Sequence, residues 1–154
     1  MVQVTRTTRD EAPAGGEQRA TFVPLRVIAN PRGDIRHALK ASESTFHGFG
    51  EAYFTSIVPG QTKGWKKHLR MHMNLIVVHG EVAFHIHDEK MGRTDTFILG
   101  TGNYGRLHVP PGLWMAFAGR ADGLSVVLNL ASIEHDPNEA INVSLDAYPL
   151  TSED

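Results

Sequence analysis

The sequence contains no cysteine among its 154 residues. This absence excludes disulfide bonds, a thiolate nucleophile and cysteine-ligated zinc. Long apolar runs are also missing, since no stretch approaches the roughly 20 residues that cross a bilayer as a helix. Residues 1–9 lack the apolar core of a secretory signal. We therefore expect a cytoplasmic protein without a membrane partner.

A strong charge of one sign is absent as well. The formal net charge is -2 and the pI is near 6.5, so the molecule as a whole does not attract nucleic acid. The chain is long enough for one core and short for two domains. Residues 1–20 are polar and contain Pro13. We expect them to form a flexible arm, followed by one domain over residues 21–150.

Short apolar runs alternate with turn signals from residue 21 onward. The turn signals include Pro59-Gly60, Pro110-Pro111-Gly112 and Asp122-Gly123. This spacing is typical of many short strands, as in all-β barrels. The stretch 136–141 (DPNEAI) is the exception, because Pro137 near its start favours one or two helical turns.

Strand alternation predicts which side chains face the interior. In residues 80–88, the apolar Phe84 and its alternate neighbours point inward. His85 and His87 then face outward, where we expect them to be exposed or at a subunit interface. In residues 63–70, alternation places Lys66 and His68 on one side of the strand. It places Lys63, Trp65 and Lys67 on the other.

Residues 63–70 concentrate four cationic side chains and one histidine in eight positions. One interpretation is an anion site, in which Lys63 and Arg70 neutralise phosphate or carboxylate oxygens. The alternative is a solvated basic edge strand. A metal site needs three or four converging ligands. His68 and His72 lie about 13 Å apart in a strand, so we predict neither a metal nor another cofactor.

Acid–base chemistry is the remaining catalytic class, because the sequence has no Gly-x-Ser-x-Gly nucleophile motif. The potential proton-transfer groups are Tyr53, His68, Lys66, Tyr104 and Glu51. A lysine acts as a base when burial or neighbouring cations lower its pKa. The cations around Lys66 in the sequence make that residue a candidate.

Five segments occur in an order that is fairly specific, although each is weak alone. They are PRGD, AYFTSIVPGQTKGWKKH, GEVAF, VPPGLW and LNLAS. This pattern resembles the RmlC-like cupins, which include the dTDP-4-dehydrorhamnose 3,5-epimerases and the dTDP-hexose 3,4-ketoisomerases. The likeness covers residues 23–139. It implies a double-stranded β-helix (jelly-roll) barrel, a homodimer, and metal-free acid–base chemistry beside a sugar ketone.

The resemblance also implies roles for individual residues. Arg32 matches an arginine placed against the nucleotide diphosphate, and Lys63 matches a second cationic position. Tyr53 lies at an active-site tyrosine position of the ketoisomerases, and His68 matches the second histidine of their HxH motif. The catalytic candidates are therefore Lys66, His68 and Tyr53. The substrate-binding candidates are Arg32, Lys63, Arg70, Met73, Phe84, Met115, Phe117 and Asn129.

Three departures from the family pattern leave the function open. Lys66 stands where the base histidine is expected, Met115 replaces a histidine after PPGLW, and Asn129 replaces the acid tyrosine of the epimerases. We expect an isomerase or epimerase of a nucleotide-linked 4-keto-6-deoxysugar. The alternatives are a barrel that cyclises or rearranges an apolar biosynthetic intermediate such as a polyketide, a non-catalytic binding module, and a metal-dependent cupin.

Overall fold

The computed structural model describes residues 18–151. Most of the predicted N-terminal arm, residues 1–17, lies outside the described residues. Between 18 and 151 the chain forms twelve strands and two short 3-10 helices. The strands are β1 (Thr21–Pro24), β2 (Val27–Ile28), β3 (Ile35–Arg36), β4 (Glu51–Ile57), β5 (Thr62–His68), β6 (Met73–His79), β7 (Glu81–Asp88), β8 (Arg93–Gly100), β9 (Gly105–Val109), β10 (Trp114–Gly119), β11 (Ser125–Ala131) and β12 (Ala140–Asn142). The 3-10 helices are Pro137–Glu139 and Leu145–Ala147.

Two five-stranded sheets form the barrel. The first has the order β1-β9-β6-β11-β4, the second has the order β12-β5-β10-β7-β8, and β2 and β3 form a separate hairpin. Adjacent strands within the sheets are antiparallel. This architecture confirms the predicted all-β jelly-roll fold. The alternative interpretation of the basic run as an edge strand is wrong, because β5 lies between β12 and β10.

The core lies between the two sheets, and both sheets contribute to it. Met73 and Leu75 come from β6 of the first sheet, while Val82 and Phe84 come from β7 of the second. These side chains alternate along their strands with residues that face outward, as the period of two requires. The 3-10 helix Pro137–Glu139 confirms the predicted helical turn. The carboxylate of Asp136 caps it by accepting from the backbone N–H of Asn138.

A second, smaller core covers the outer face of the second sheet. Trp65 and Trp114 pack there against Tyr148 of the C-terminal segment. The same segment covers His85 and His87, which are only 8% and 5% exposed. The expectation that these two histidines are exposed is therefore wrong. Their orientation outward from the barrel interior was predicted correctly, but the C-terminal segment buries them.

Residues 37–47 cover the outer face of the first sheet. They hold the buried guanidinium of Arg106, which pairs with Glu43 and also donates to the hydroxyl of Thr45 at 3.1 Å. The amide of Asn74 donates to the Thr45 carbonyl at 3.0 Å. Among the described residues, no helix is both long and apolar enough to cross a membrane.

Candidate active site

A cavity of about 370 Å³ lies between the two sheets. This volume is within the range of small-molecule pockets, about 300–1,000 Å³. Seven strands contribute lining residues, so side chains that are distant in sequence converge there. The lining residues are Tyr53, Thr55, Lys63, Gly64, Lys66, His68, Met73, Leu75, Phe84, Met115, Phe117, Val127, Asn129 and Asn142.

Nine of the eleven candidates from the sequence line this cavity. They comprise all three candidates for proton transfer and six of the eight candidates for substrate binding. The nine are Tyr53, Lys63, Lys66, His68, Met73, Phe84, Met115, Phe117 and Asn129. The structure thus brings them together, whereas their individual roles remain predictions.

A β-bulge in β5 places Lys63 on the cavity side. Lys66 pairs with Met115 and Lys63 pairs with Phe117, so two residues of β5 stand opposite the single residue Ala116. Strict alternation would put Lys63 and Lys66 on opposite faces, and that expectation is wrong because the bulge adds one residue. Gly64 permits the bulge, since its φ is +139° and a Cβ there would lie 2.6 Å from the Cβ of Ala116.

His68 is oriented by a buried carboxylate that sequence reasoning missed. Its Nδ1 forms a hydrogen bond with Oε1 of Glu139, which is 3% exposed. The other carboxylate oxygen, Oε2, accepts from the backbone N–H groups of Arg70 at 3.1 Å and Met71 at 3.2 Å. Both oxygens of Glu139 therefore act as acceptors. In the neutral imidazole this contact places the proton on Nδ1 and leaves the lone pair on Nε2.

The environment of Glu139 favours its ionised form. Burial by itself raises the pKa of a carboxyl group. In Glu139 the hydrogen bonds from His68 and from the backbone amides of Arg70 and Met71 outweigh burial and lower the pKa. The only signal in the sequence was a glutamate inside the predicted DPNEAI turn. Its partner His68 is 71 residues away.

Tyr53 and Asn129 form a polar pair on the first sheet. They lie opposite each other on β4 and β11, and the amide Nδ2 of Asn129 donates to the Tyr53 hydroxyl at 2.9 Å. The amide oxygen of Asn129 is buried without a hydrogen-bond partner among the described residues. Buried polar atoms are nearly always paired. This oxygen is therefore an unsatisfied acceptor in the wall of the cavity.

Lys63 and Lys66 give the cavity its positive charge. The ammonium of Lys63 donates to the Ser56 carbonyl at 2.6 Å and lies 5.9 Å from the centre of the Phe117 ring. Lys66 is exposed, and no carboxylate of residues 18–151 forms an ion pair with it. Both lysines can therefore contact an anionic group of a ligand without first breaking a salt bridge.

Apolar side chains line the rest of the cavity. They are Met73, Leu75, Phe84, Met115, Phe117 and Val127. The rings of Phe84 and Phe117 stack with centroids 5.9 Å apart. We call these six residues the apolar floor. The cavity is thus amphipathic, and it suits a ligand with both polar and apolar parts.

Arg32 and Arg70 do not line this cavity, and their role in substrate binding stays a prediction. Arg32 is exposed in the turn between β2 and β3, where its backbone N–H donates to the side chain of Asn30 at 2.9 Å. Arg70 follows β5 and pairs with Asp136 at 3.1 Å, with a side chain 60% exposed. Both residues lie outside the strands that enclose the cavity.

Comparison with known proteins identifies the family. The family model described as "FdtA: WxcM-like, C-terminal" matches residues 18–148. The chain belongs to this family. A probable low-salt glycan biosynthesis epimerase, Agl13, from Haloferax volcanii is 24% identical over 119 residues, which make up 73% of this chain and 76% of that protein.

Solved structures support the same assignment. A dTDP sugar isomerase from Desulfovibrio desulfuricans G20 is 31% identical with a TM-score of 0.79, and the match covers 83% of this chain and 85% of that one. The epimerase RmlC from Legionella pneumophila, in complex with dTDP-4-keto-L-rhamnose, is 14% identical. It has a TM-score of 0.73, and the match covers 82% and 73% of the two chains. At that identity the likeness concerns the fold alone. The predicted membership of the RmlC-like cupins is confirmed.

Proposed function

We propose that this chain is a sugar-nucleotide isomerase or epimerase that acts on a nucleotide-linked 4-keto-6-deoxysugar. The observation that carries the proposal is the His68–Glu139 pair in a cavity that also contains Lys66 and Tyr53. Family membership supports it, because a dTDP sugar isomerase is among the similar proteins. Proton transfer beside a ketone needs a base close to a group that stabilises the oxyanion.

In this proposal His68 is the base and Glu139 is its positioning residue. Nε2 of His68 takes a proton from the carbon next to the sugar carbonyl. The electrons of that C–H bond form the C=C bond of an enolate, and the carbonyl π electrons move onto oxygen. Return of a proton to the same carbon from the other face inverts it. Return of the proton to the former carbonyl carbon, with transfer of the neighbouring hydroxyl proton to the oxyanion, makes the old carbonyl a hydroxyl and moves the ketone to the neighbouring carbon.

Lys66 is assigned the role of stabilising the enolate oxyanion, and not the role of the base. The sequence suggested that neighbouring cations crowd Lys66, and the structure keeps Lys63 beside it in the cavity but directs Lys67 and Arg70 elsewhere. Lys67 pairs with Glu89 at 3.3 Å and lies 4.8 Å from the Trp114 ring centre on the outer face, and Arg70 pairs with Asp136. Lys66 then serves as a cation beside the developing negative charge. Tyr53, which also lines the cavity, is the proposed group that supplies or receives the second proton.

The remaining cavity groups fit the rest of such a substrate. The amide oxygen of Asn129 accepts from a sugar hydroxyl, and the apolar floor receives the 6-methyl group. Lys63 stays a candidate for the diphosphate. Arg32 lies outside the cavity of its own chain. In the predicted homodimer it would therefore contact the diphosphate bound in the cavity of the other subunit. The dimer, the domain limits 21–150 and the cytoplasmic location remain predictions.

The test is incubation of the full-length chain with dTDP-4-keto-6-deoxyglucose in D₂O, followed by NMR and mass spectrometry. We expect a product with an inverted centre or a moved ketone, or deuterium at the carbons next to the carbonyl. We also expect the nucleotide sugar to raise the melting temperature, because a ligand that binds only the folded state stabilises it. A result with no product, no deuterium and no thermal shift would contradict the proposal.

The apolar floor favours one second candidate, a rearrangement of a largely apolar biosynthetic intermediate. Six apolar side chains line a cavity of about 370 Å³, which can hold a reactive conformer. The same thermal-shift assay separates the two functions. Stabilisation by apolar polycyclic ligands but not by dTDP-sugars favours the second candidate. Stabilisation by dTDP-sugars without any turnover indicates the non-catalytic binding module.

A further inference from the structure

Three histidines meet on the outer face of the first sheet, away from the cavity. His108 lies on β9, His72 immediately precedes β6, and His47 belongs to the segment that covers this face. None of the three lines the cavity. We call them the histidine cluster. His108 is buried, His72 is half-buried and His47 is exposed, so the cluster extends from the protein interior to the solvent.

The ring nitrogens of the histidine cluster are close together. Each of the three rings has one nitrogen that lies within 4.8 Å of a nitrogen of each of the other two rings. Nδ1 of His72 lies 3.1 Å from Nε2 of His108, and the His47 ring stacks on His72 with centroids 3.8 Å apart. Two nitrogens bound at about 2.0–2.1 Å to one tetrahedral zinc lie about 3.3 Å apart. The 3.1 Å contact between His72 and His108 is a hydrogen bond of nearly this length, and a bound ion would replace its proton.

The chemistry around the cluster favours neutral imidazoles, which are the form that binds metal. Burial, together with the neighbouring His72, His47 and Arg106, lowers the pKa of His108 to about 4. Burial and His47 also lower the pKa of His72. No carboxylate of residues 18–151 pairs with the three rings. Glu43 neutralises Arg106, so the guanidinium does not present an unpaired charge to an incoming cation.

We propose that His47, His72 and His108 form a binding site for a divalent transition-metal ion of borderline softness, such as Zn²⁺. Three imidazoles with room for a water molecule are a donor set that suits zinc, copper and nickel. Lone pairs lie in the ring planes, so His47 must rotate out of its stack to complete the site. Its exposed position leaves it room to do so.

A bound ion would cross-link the segment that precedes β4 to the first sheet. His47 lies in the segment that leads into β4, while His72 and His108 belong to the sheet itself. Coordination joins that segment to the sheet beside the existing Arg106–Glu43 pair. Because β4 begins four residues after His47 and contains Tyr53, the ion also restrains the backbone that leads into this cavity-lining strand.

The test uses the full-length chain without an affinity tag, freed of metal with a chelator and titrated with ZnCl₂ by calorimetry. We expect one Zn²⁺ per chain and a rise in melting temperature with Zn²⁺. His47→Ala should weaken Zn²⁺ binding at least about tenfold and reduce the thermal shift at the same Zn²⁺ concentration. Because His47 is exposed, its loss should leave the fold intact. The readout is binding, so the result is independent of the proposed enzymatic activity.

His79→Ala is the matched control, because His79 is exposed on β6 and does not belong to the cluster. It should bind Zn²⁺ like the unmodified chain. The proposal is overturned if the unmodified chain binds no Zn²⁺, or if His47→Ala binds it as tightly as His79→Ala. An equal loss in both variants would also overturn it, because the ion would then not depend on the cluster.

Discussion

Replacing Glu139 by glutamine tests the proposed base most directly. Oε2 of Glu139 accepts from two backbone N–H groups, while Oε1 contacts Nδ1 of His68. In Glu139→Gln the new NH₂ group cannot face the backbone N–H groups of Arg70 and Met71, because both are donors. The amide oxygen must therefore accept from these two N–H groups. The NH₂ group then donates to Nδ1 of His68. The imidazole proton moves to Nε2, and the nitrogen that faces the substrate loses its basic lone pair.

The expected loss of turnover is large, and the expected loss of stability is modest. Removing a general base lowers a rate by about 10²- to 10⁴-fold. The analogous carboxylate-to-amide change in a serine protease triad costs about 10⁴-fold through the same change of tautomer. One hydrogen bond to a charged group contributes about 1.5–3 kcal/mol. For a domain of this size, 1 kcal/mol shifts the melting temperature by about 2–4 °C, so the variant should remain folded at 25 °C.

The assay measures turnover of dTDP-4-keto-6-deoxyglucose, melting temperature and the ¹⁵N chemical shifts of the His68 ring. The shifts should show the proton on Nδ1 in the unmodified chain and on Nε2 in Glu139→Gln. A purely structural role for Glu139 would not change them in this way. Glu134→Gln, at an exposed carboxylate nearby, is the control and should behave like the unmodified chain. Near-normal turnover of Glu139→Gln, with the proton still on Nδ1, would refute the assignment.

Three further predictions use the same structure. The pKa of Glu139 is lowered from its ordinary value of 4.5. The ionised carboxylate therefore stabilises the fold above pH 4.5, and this stabilisation is lost as the pH falls through the folded-state pKa. Acid should thus lower the melting temperature of the unmodified chain more steeply than that of Glu139→Gln. Lys66→Ala should weaken nucleotide-sugar binding or turnover about 10- to 100-fold. Lys67→Ala should leave both nearly unchanged, because Lys67 pairs with Glu89 outside the cavity. Gly64→Ala should destabilise the fold by about 1–3 kcal/mol in thermal unfolding, because the residue needs a positive φ and abuts Ala116.

Local patterns in the sequence were sufficient to predict the barrel and much of its interior. Period-two alternation determines which residues of a strand face the core, and it assigned Met73 and Phe84 correctly. The same rule failed at Lys63, because a bulge reverses the parity of every residue beyond it. Gly64 within the strand was the available signal, since an isolated glycine in a strand often marks a bulge.

Contacts between distant segments were not predictable from local patterns. The partner of His68 lies 71 residues away in a short turn, and nothing in the spacing of the sequence identifies Glu139 as that partner. His85 and His87 face outward, but their burial depends on the C-terminal segment around Tyr148. Arg70 occurs in the basic run, yet Asp136 holds it outside the cavity. Each of these outcomes depends on tertiary packing.

The segment from residue 136 to residue 142 positions two residues of the proposed active site. Glu139 at its centre binds the imidazole of His68 through its side chain, and its backbone carbonyl accepts from Leu69 at 2.7 Å. The following strand, β12, pairs Ala140 with His68 and Asn142 with Lys66. One short segment therefore holds the proposed base and the proposed oxyanion-stabilising lysine to a common backbone. Their backbone separation follows from their positions two residues apart on β5, and pairing with β12 holds that part of β5 in place.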